Sequence, residues 1–484
     1  MRGFIGRGRE LRYLERELEA ARGGTGRLVT VRGRKQVGKS WLVSEFLDRY
    51  RGPHLYFDAH GYTEKRELDR FRLALAGSSL PSARLGQGEG AFGDWEAALL
   101  TAAADASIDR PSIIVLDEFP DLCERRGGKD ATFSPQEGSV RAAWRRLEQL
   151  PVVVILIGSD LAMMERLVVY GAPLYQRPTC ELIVPPLSPL EVSRLGDRAA
   201  AAALDAYLVT GGVPKIARLW PSGDLESFLV EALADPRSDL VRIGPMILDA
   251  EFPSNANARS VLSVIGAGVR THSKIAERTG IKPTNLTGPY GPLTLLERKG
   301  IIEATRPLST TTTTRSHYRI IDPYIRFWLR FIEPNLGGIE RGLGPSIAPQ
   351  IARAFAGYRG AAIEPLVREA IERLSIGGDA TFDGARAVGS YWTRDGRLEV
   401  DLVGADRPDP PAGSIAFVGT IKWRERRRMT GSDLAALTRD ASVIAGVDAA
   451  TRLIAVSRSG FDHRIAAPVR KVSADEILQA FPAD

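Results

Sequence analysis

The segment that most restricts how this chain can fold is Gly33-Arg-Lys-Gln-Val-Gly38-Lys39-Ser40, an instance of G-x-x-x-x-G-K-[ST]. A short apolar run, Leu28 to Val31, precedes it, and a helical pattern from Ser40 to Tyr50 comes after it. Strand, glycine-rich turn and helix start, in that order, make an anion site. The amides from Gln36 to Ser40 converge there, and the positive end of the helix dipole adds to them. Glycines at 33 and 38 allow backbone conformations that a Cβ would obstruct. The pattern assigns Lys39 to phosphate oxygens and the Ser40 hydroxyl to Mg²⁺.

Such a loop needs a parallel sheet to carry it, and the first 220 residues supply one. Four runs, Arg27 to Val31, His54 to Phe57, Ser112 to Leu116 and Val152 to Ile157, are short, continuous and rich in β-branched residues. Strands buried on both faces read this way. Helical patterns lie between them, as at Ser40 to Tyr50, Phe92 to Ala104 and Val140 to Gln149, so the expectation is a doubly wound α/β domain. Ligands of such sheets bind beyond the carboxyl ends of the strands. Asp117 and Glu118 end the third run and fall there. Asp117 is expected to orient Mg²⁺, and Glu118 to polarise an attacking water as general base. Ser159, after the fourth run, is placed to position that water. Asp160 reads equally well as a helix cap.

Composition narrows the class. The 484 residues exceed one hydrophobic core and suggest about three domains. No stretch of about 18 apolar residues occurs, so no bilayer span is expected, and no membrane partner. The first residues lack the apolar core of a signal peptide. Cys123 and Cys180 are the only cysteines, and no metal-ligand spacing involves them, which argues against a disulfide framework and a cysteine zinc site. Cytoplasmic residence is the resulting expectation. A formal charge of +6, spread along the chain, permits nucleic acid as a partner without requiring it.

Further motifs occur in a fixed order. They are the Phe4-Ile5-Gly6-Arg7-x-x-Glu10-Leu11 box, the phosphate loop, Leu116-Asp-Glu-Phe-Pro120, Gly158-Ser159, Ala172-Pro-Leu-Tyr-Gln-Arg177, Gly211-Gly-Val-Pro214 and Tyr318 to Phe331. Together they resemble the archaeal-type ATPases, a branch of the AAA+ and STAND P-loop ATPases. The resemblance implies ATP and Mg²⁺ as ligands. It implies that Phe4, Ile5, Gly6 and Arg7 lie against the adenine, with Gly33, Gln36, Val37, Gly38, Lys39, Ser40 and Trp41 around the phosphates. Pro214, with Gly212, matches a motif that closes over the base from the next domain. Arg177 matches an arginine that senses the γ-phosphate within the subunit or across an interface, because a guanidinium binds phosphate oxygens through a fork. Gln176 stands where the family has glycine, and a surface salt bridge is the alternative reading of Arg177.

Residues 221–335 read as a helical lid containing a winged helix. An apolar helix begins at Val261, and Thr271 caps a second helix that Gly280 ends. A third is expected from Thr284 through Pro289 to Glu297, and a hairpin of Ile301 to Thr305 with His317 to Ile321 forms the wing. Pro289 and Pro292 are awkward inside that helix. In a DNA-binding version, Arg306, Arg315 and Arg319 would contact phosphates; a lid or protein-docking role remains open beside it. Thr310 to Thr314 reads as the solvated tip of the hairpin.

Residues 350–484 open with a helix bearing Glu364. Two strands joined at Asp395-Gly396 come next, and period two puts Glu399 and Asp401 on one face of the second. Thr420 and Lys422 share a face of the third strand. The arrangement is similar to the PD-(D/E)XK nuclease fold, with Thr420 where the family carries a glutamate. Losing that carboxylate weakens Mg²⁺ binding, so Glu364, Asp401 and Lys422 read as a vestigial site from which cleavage is not expected. The whole chain thus reads as an ATP-binding switch, with an unidentified protein partner or a second copy of itself. An ATP-regulated DNA-processing protein and a slow-turnover signalling scaffold are the alternatives.

Overall fold

The computed structural model describes residues 5–88, 92–123, 133–196, 198–252, 255–313, 315–465 and 468–482. Two compact units divide the chain near Pro186 and Leu187, so the helices of residues 187–220 group with the carboxyl-terminal part of the chain rather than with the first sheet. Among the described residues no helix is long and apolar enough to cross a membrane.

In the first unit five parallel strands, β1 (Arg27–Arg32), β2 (His54–Asp58), β3 (Ser112–Asp117), β4 (Val152–Gly158) and β5 (Cys180–Ile183), lie in the order β2-β3-β4-β1-β5. All of β3 and β4 is buried. Alternate side chains explain why these runs are continuously apolar. Ile113 and Val115 pack on one side of the sheet with Leu11, Leu42 and Phe46, whereas Ile114 and Leu116 pack on the other with Phe71, Trp95 and Trp144. Both faces are covered by helices, which is the doubly wound α/β class. The short edge strand β5 escaped the sequence reading because Glu181 and Ile183 are exposed and no apolar run marks it.

The second unit begins with helices, among them Ala200–Thr210 and Pro214–Leu219. Helices Ala256–Gly266, His272–Thr279, Pro283–Leu286 and Pro292–Arg298 come later, then the antiparallel hairpin of β6 (Ile302–Thr305) and β7 (His317–Ile320). The single helix expected from Thr284 to Glu297 is two. Pro292 starts the second piece at its first turn, where a missing N–H costs nothing. Gly280, at φ 70°, ends His272–Thr279 as expected.

A helix of 33 residues, Gly344–Ile376, then leads to a second sheet. Its strands β8 (Ala387–Trp392), β9 (Glu399–Ala405), β10 (Ile415–Lys422), β11 (Arg452–Ser457) and β12 (Val469–Ser473) lie in the order β12-β11-β10-β9-β8. Strands β8 to β10 are antiparallel and β10 to β12 parallel. One apolar cluster runs from Ala203 through Phe327 and Ile363 to Phe417 and Ile477, so the helices, the hairpin and this sheet share a core.

Candidate functional site

The first unit gathers its polar residues where β1, β3 and β4 end. Gly38 caps helix Lys39–Tyr50 at φ 94°, and Gln36 also has positive φ, at 69°. Turns of this kind aim successive N–H groups into one concavity. A Cβ on Gly33 would stand 2.5 Å from the Val184 carbonyl oxygen, so only glycine lets the loop pass the chain after β5. Val37 is buried, and its carbonyl accepts from Arg7 Nη2 at 3.2 Å. Arg7 also donates to the Pro185 carbonyl and is itself buried. The segment Ile5-Gly6-Arg7 therefore lies against the phosphate loop, whereas Phe4 is outside the described residues. Trp41 sits in the first helical turn, about one-third exposed.

Lys39 is buried and folds across its own loop, donating to the carbonyls of Gly33 at 2.9 Å and Arg34 at 3.1 Å. Burial pushes its pKa down, and the nearby Glu118 and Asp117 push it back up. Asp117 ends β3 almost fully buried and accepts from the Tyr56 hydroxyl and from the Glu118 amide, the latter at 2.9 Å. Burial first, and then Asp117, raise the Tyr56 pKa, so the phenol keeps its proton. Ser40 shares a hydrogen bond with that same phenol. Glu118 stands at φ 48° just after the strand, and this left-handed turn brings its carboxylate to Ser159. The Ser159 hydroxyl donates to it at 2.7 Å and the Ser159 amide at 3.3 Å.

Lys39, Ser40, Asp117, Glu118 and Ser159 are thus brought together as the sequence suggested, and Tyr56 joins them. Tyr56 was missed because only the pairing of β2 with β3 places it beside Asp117, and strand order is not written in the motif. Asp160 caps helix Leu161–Arg166, accepting from the Met163 amide at 3.0 Å. Arg177 does not join the site. Thr179, two residues on, donates to the Leu28 carbonyl at the start of β1. A strand rises about 3.3 Å per residue, which puts that end roughly 16 Å from the loop. Arg177 instead faces Glu148 at 3.9 Å, both partly exposed, and cannot reach a nucleotide held by its own chain.

Residues 3–158 match the AAA ATPase domain. The chain carries an AAA ATPase domain. Residues 328–433 match a second family, described as archaea bacterial proteins of unknown function. The chain is also 26% identical over 430 residues to the uncharacterized protein MJECL04 of Methanocaldococcus jannaschii, covering 87% of this chain and 88% of that protein. Among solved structures, the Walker-type ATPase PABY2304 of Pyrococcus abyssi aligns at a TM-score of 0.46 and 19% identity, over 68% of this chain and 96% of its own. The ORC2 protein of Aeropyrum pernix, in ADPNP-ADP complexes, gives 0.45 and 14%, over 73% and 96%. Likeness at this level says nothing about what the present chain acts upon.

ATP binding belongs to this AAA ATPase domain, and the loop geometry suits it. The donors around Ser40 and Asp117 are all oxygen, the set Mg²⁺ prefers when phosphates complete its shell. Gly212 and Pro214 lie in the second unit. Gly212, at φ 70°, packs so closely on Leu187 that a Cβ would meet its carbonyl at 2.1 Å, and Pro214 opens the next helix. In the preceding helix Asp205 is buried and accepts from Arg359 at 3.0 Å, Trp423 Nε1 at 2.9 Å and Arg458 at 2.9 Å. That carboxylate fastens the helix before Pro214 to the carboxyl-terminal sheet.

The residues of the vestigial site also meet. Asp401 accepts from the Thr420 hydroxyl at 2.9 Å and the Ile421 amide at 2.7 Å, with Lys422 Nζ at 3.8 Å. Arg368, one turn after Glu364, donates to Glu364 at 2.8 Å and to the Asp401 carbonyl at 2.9 Å. One guanidinium therefore ties the Glu364 carboxylate to the backbone of Asp401. Among the described residues no group of three or more His, Cys, Asp or Glu is placed to hold a metal. Burial raises the Glu364 pKa to about 7 despite Arg368. Arg319, expected on DNA phosphates, is instead paired with Glu303 across the hairpin.

Proposed function

We propose that this chain is an ATP-hydrolysing molecular switch of the AAA+/STAND type. The observation that carries the reading is the Glu118 carboxylate, held by Ser159 beside Lys39 and Asp117 at the carboxyl edge of the sheet. The loop from Gly33 to Ser40 binds the phosphates, and Lys39 has one N–H left for them after its two backbone carbonyls. Ser40 and Asp117 hold Mg²⁺, which neutralises phosphate charge when bound. Glu118 takes the proton of the attacking water, and Ser159 orients that carboxylate before and during the step. Positioning and charge stabilisation are what phosphoryl transfer to water requires.

Gly212 and Pro214 match the family's base-closing motif, and the Asp205 network ties the helix before them to the carboxyl-terminal sheet. Helices 256–298 and the hairpin act as a winged-helix lid, and the carboxyl-terminal region as a nuclease-like docking module. Arg177 serves a neighbouring copy of the chain.

Steady-state ATP hydrolysis by the wild type and by Glu118→Gln, with and without duplex DNA, tests this. The expected result is turnover that falls by about 10² to 10³ in the variant while ATP still binds, and that ignores DNA. A rate stimulated by DNA would replace the switch with a DNA-regulated protein acting through the exposed Arg306 and Arg315. Tight ATP binding without wild-type turnover would favour a scaffold.

A further inference from the structure

The second unit contains a cleft of about 480 Å³, lined by β7, the chain around Ala267, the helix Gly344–Ile376 and the ends of β8 and β9. Five guanidinium groups face it, from Arg270, Arg319, Arg326, Arg330 and Arg368, against the carboxylates of Glu364 and Glu399. Three of the five have acidic partners. Arg319 pairs with Glu303, Arg368 with Glu364 at 2.8 Å, and Arg270 with Glu399 at 3.8 Å. The other two do not. Arg326 donates to the Ala362 carbonyl at 2.8 Å and Arg330 to the Ala267 carbonyl at 2.5 Å. Neither has a carboxylate within 4 Å among the described residues.

A second observation points the same way. Arg326 Nε and the Tyr358 hydroxyl are shut off from solvent and lie close together, so the phenol backs the guanidinium and the outer N–H groups of Arg326 are those a ligand can reach. Burial lowers the pKa of Arg319 against the pull of Glu303, and the neighbouring Arg326 and Arg368 act in the same direction as burial.

We propose that this cleft binds a small molecule carrying a phosphate group, held by Arg326 and Arg330. Phosphate offers several acceptor oxygens around one centre, which matches two guanidinium forks on the wall of one cleft. The volume falls in the range of small-molecule sites, roughly 300 to 1,000 Å³. A duplex, whose major groove alone is about 12 Å wide, does not fit inside it. The site is independent of the phosphate loop. It lies against the hairpin and beside Glu364 and Arg368, so a ligand there would bear on the hairpin and the carboxyl-terminal sheet together.

The test uses the full-length chain carrying Lys39→Ala, which disables the phosphate loop, titrated calorimetrically with inorganic pyrophosphate near neutral pH. Saturable one-to-one binding is expected. Adding Arg330→Gln should weaken it about tenfold or more, and Tyr358→Phe by less. Arg330→Lys, which keeps the charge and loses the fork, should fall between. Arg330 is exposed, and thermal melting of each variant confirms that it folds. The proposal is overturned if pyrophosphate gives no saturable binding. It is equally overturned if binding is indifferent to these three substitutions, as residual binding at the phosphate loop would be. Binding of duplex DNA, rather than pyrophosphate, that depends on Arg330 would also overturn it and make the cleft rim a DNA contact.

Discussion

Two pairs of carboxylates in this molecule started from similar sequence signals and ended in opposite electrostatic states. In the first unit, Asp117 and Glu118 are held by neutral donors, namely the phenol of Tyr56, the hydroxyl of Ser159 and backbone amides. No cation stands within ion-pair distance of either among the described residues, since Lys39 gives its hydrogen bonds to backbone carbonyls. In the carboxyl-terminal region, Arg368 pairs with the Glu364 carboxylate and donates to the Asp401 backbone carbonyl, and Lys422 lies 3.8 Å from the Asp401 carboxylate. One pair has no side-chain cation against it among the described residues, whereas each member of the other already faces one. Counting acidic residues in a motif does not separate these cases. The side chains lying between them do.

The comparison breaks most readily at the loop lysine. Lys39→Ala should abolish measurable ATP hydrolysis and reduce ATP affinity by about 100-fold or more, because a desolvated cation at the phosphates is lost. Equilibrium binding of a fluorescent ATP analogue checks this, and near wild-type affinity would mean that the nucleotide sits elsewhere.

A smaller effect is expected from Ser159→Ala. Glu118 would lose its hydroxyl donor at 2.7 Å while the phosphate loop stays intact, so turnover should fall about tenfold with ATP affinity unchanged. An unchanged rate would show that the Ser159–Glu118 bond belongs only to the resting arrangement.

The carboxyl-terminal pair can be sharpened by pH. Burial raises the Glu364 pKa from its usual 4.5 to about 7, so the folded chain binds this proton more tightly than the unfolded chain. Its contribution is present below about pH 4.5 and is lost as pH rises toward 7. At full size the shift corresponds to roughly 3 kcal/mol. Denaturant unfolding of wild type and Glu364→Gln across that window should show the variant gaining relative stability as pH rises. Parallel curves would mean that Arg368 fully stabilises the ionised form.

The least effect is expected at Arg177. Its contact with Glu148 is long and partly exposed, so Arg177→Ala should change stability by less than about 1 kcal/mol. Should it lower ATP turnover, the loss must depend on protein concentration, because the side chain cannot reach its own chain's phosphate loop.

Much of the first unit was legible because β3 and β4 are buried on both faces, leaving apolar runs with little tolerance for polar residues. The phosphate loop was legible for a different reason, since its glycines and its lysine answer to local backbone geometry. The exposed edge strand β5 left no comparable trace. Prolines 289 and 292 signalled trouble in the helix after Thr284, but not that it would become two separate helices.

The amino-acid sequence by itself determined the phosphate loop, the acidic pair beyond β3 and the α/β class, because those features depend on spacing within a few residues and on side-chain period. Only the tertiary structure decided that Tyr56 reaches Asp117, that Arg368 lies between Glu364 and Asp401, and that Arg177 sits at the far end of the sheet. Each of these depends on strand order or on the approach of segments distant in the chain. Charge compensation is a property of such neighbours in space, and it is settled only when the chain has packed.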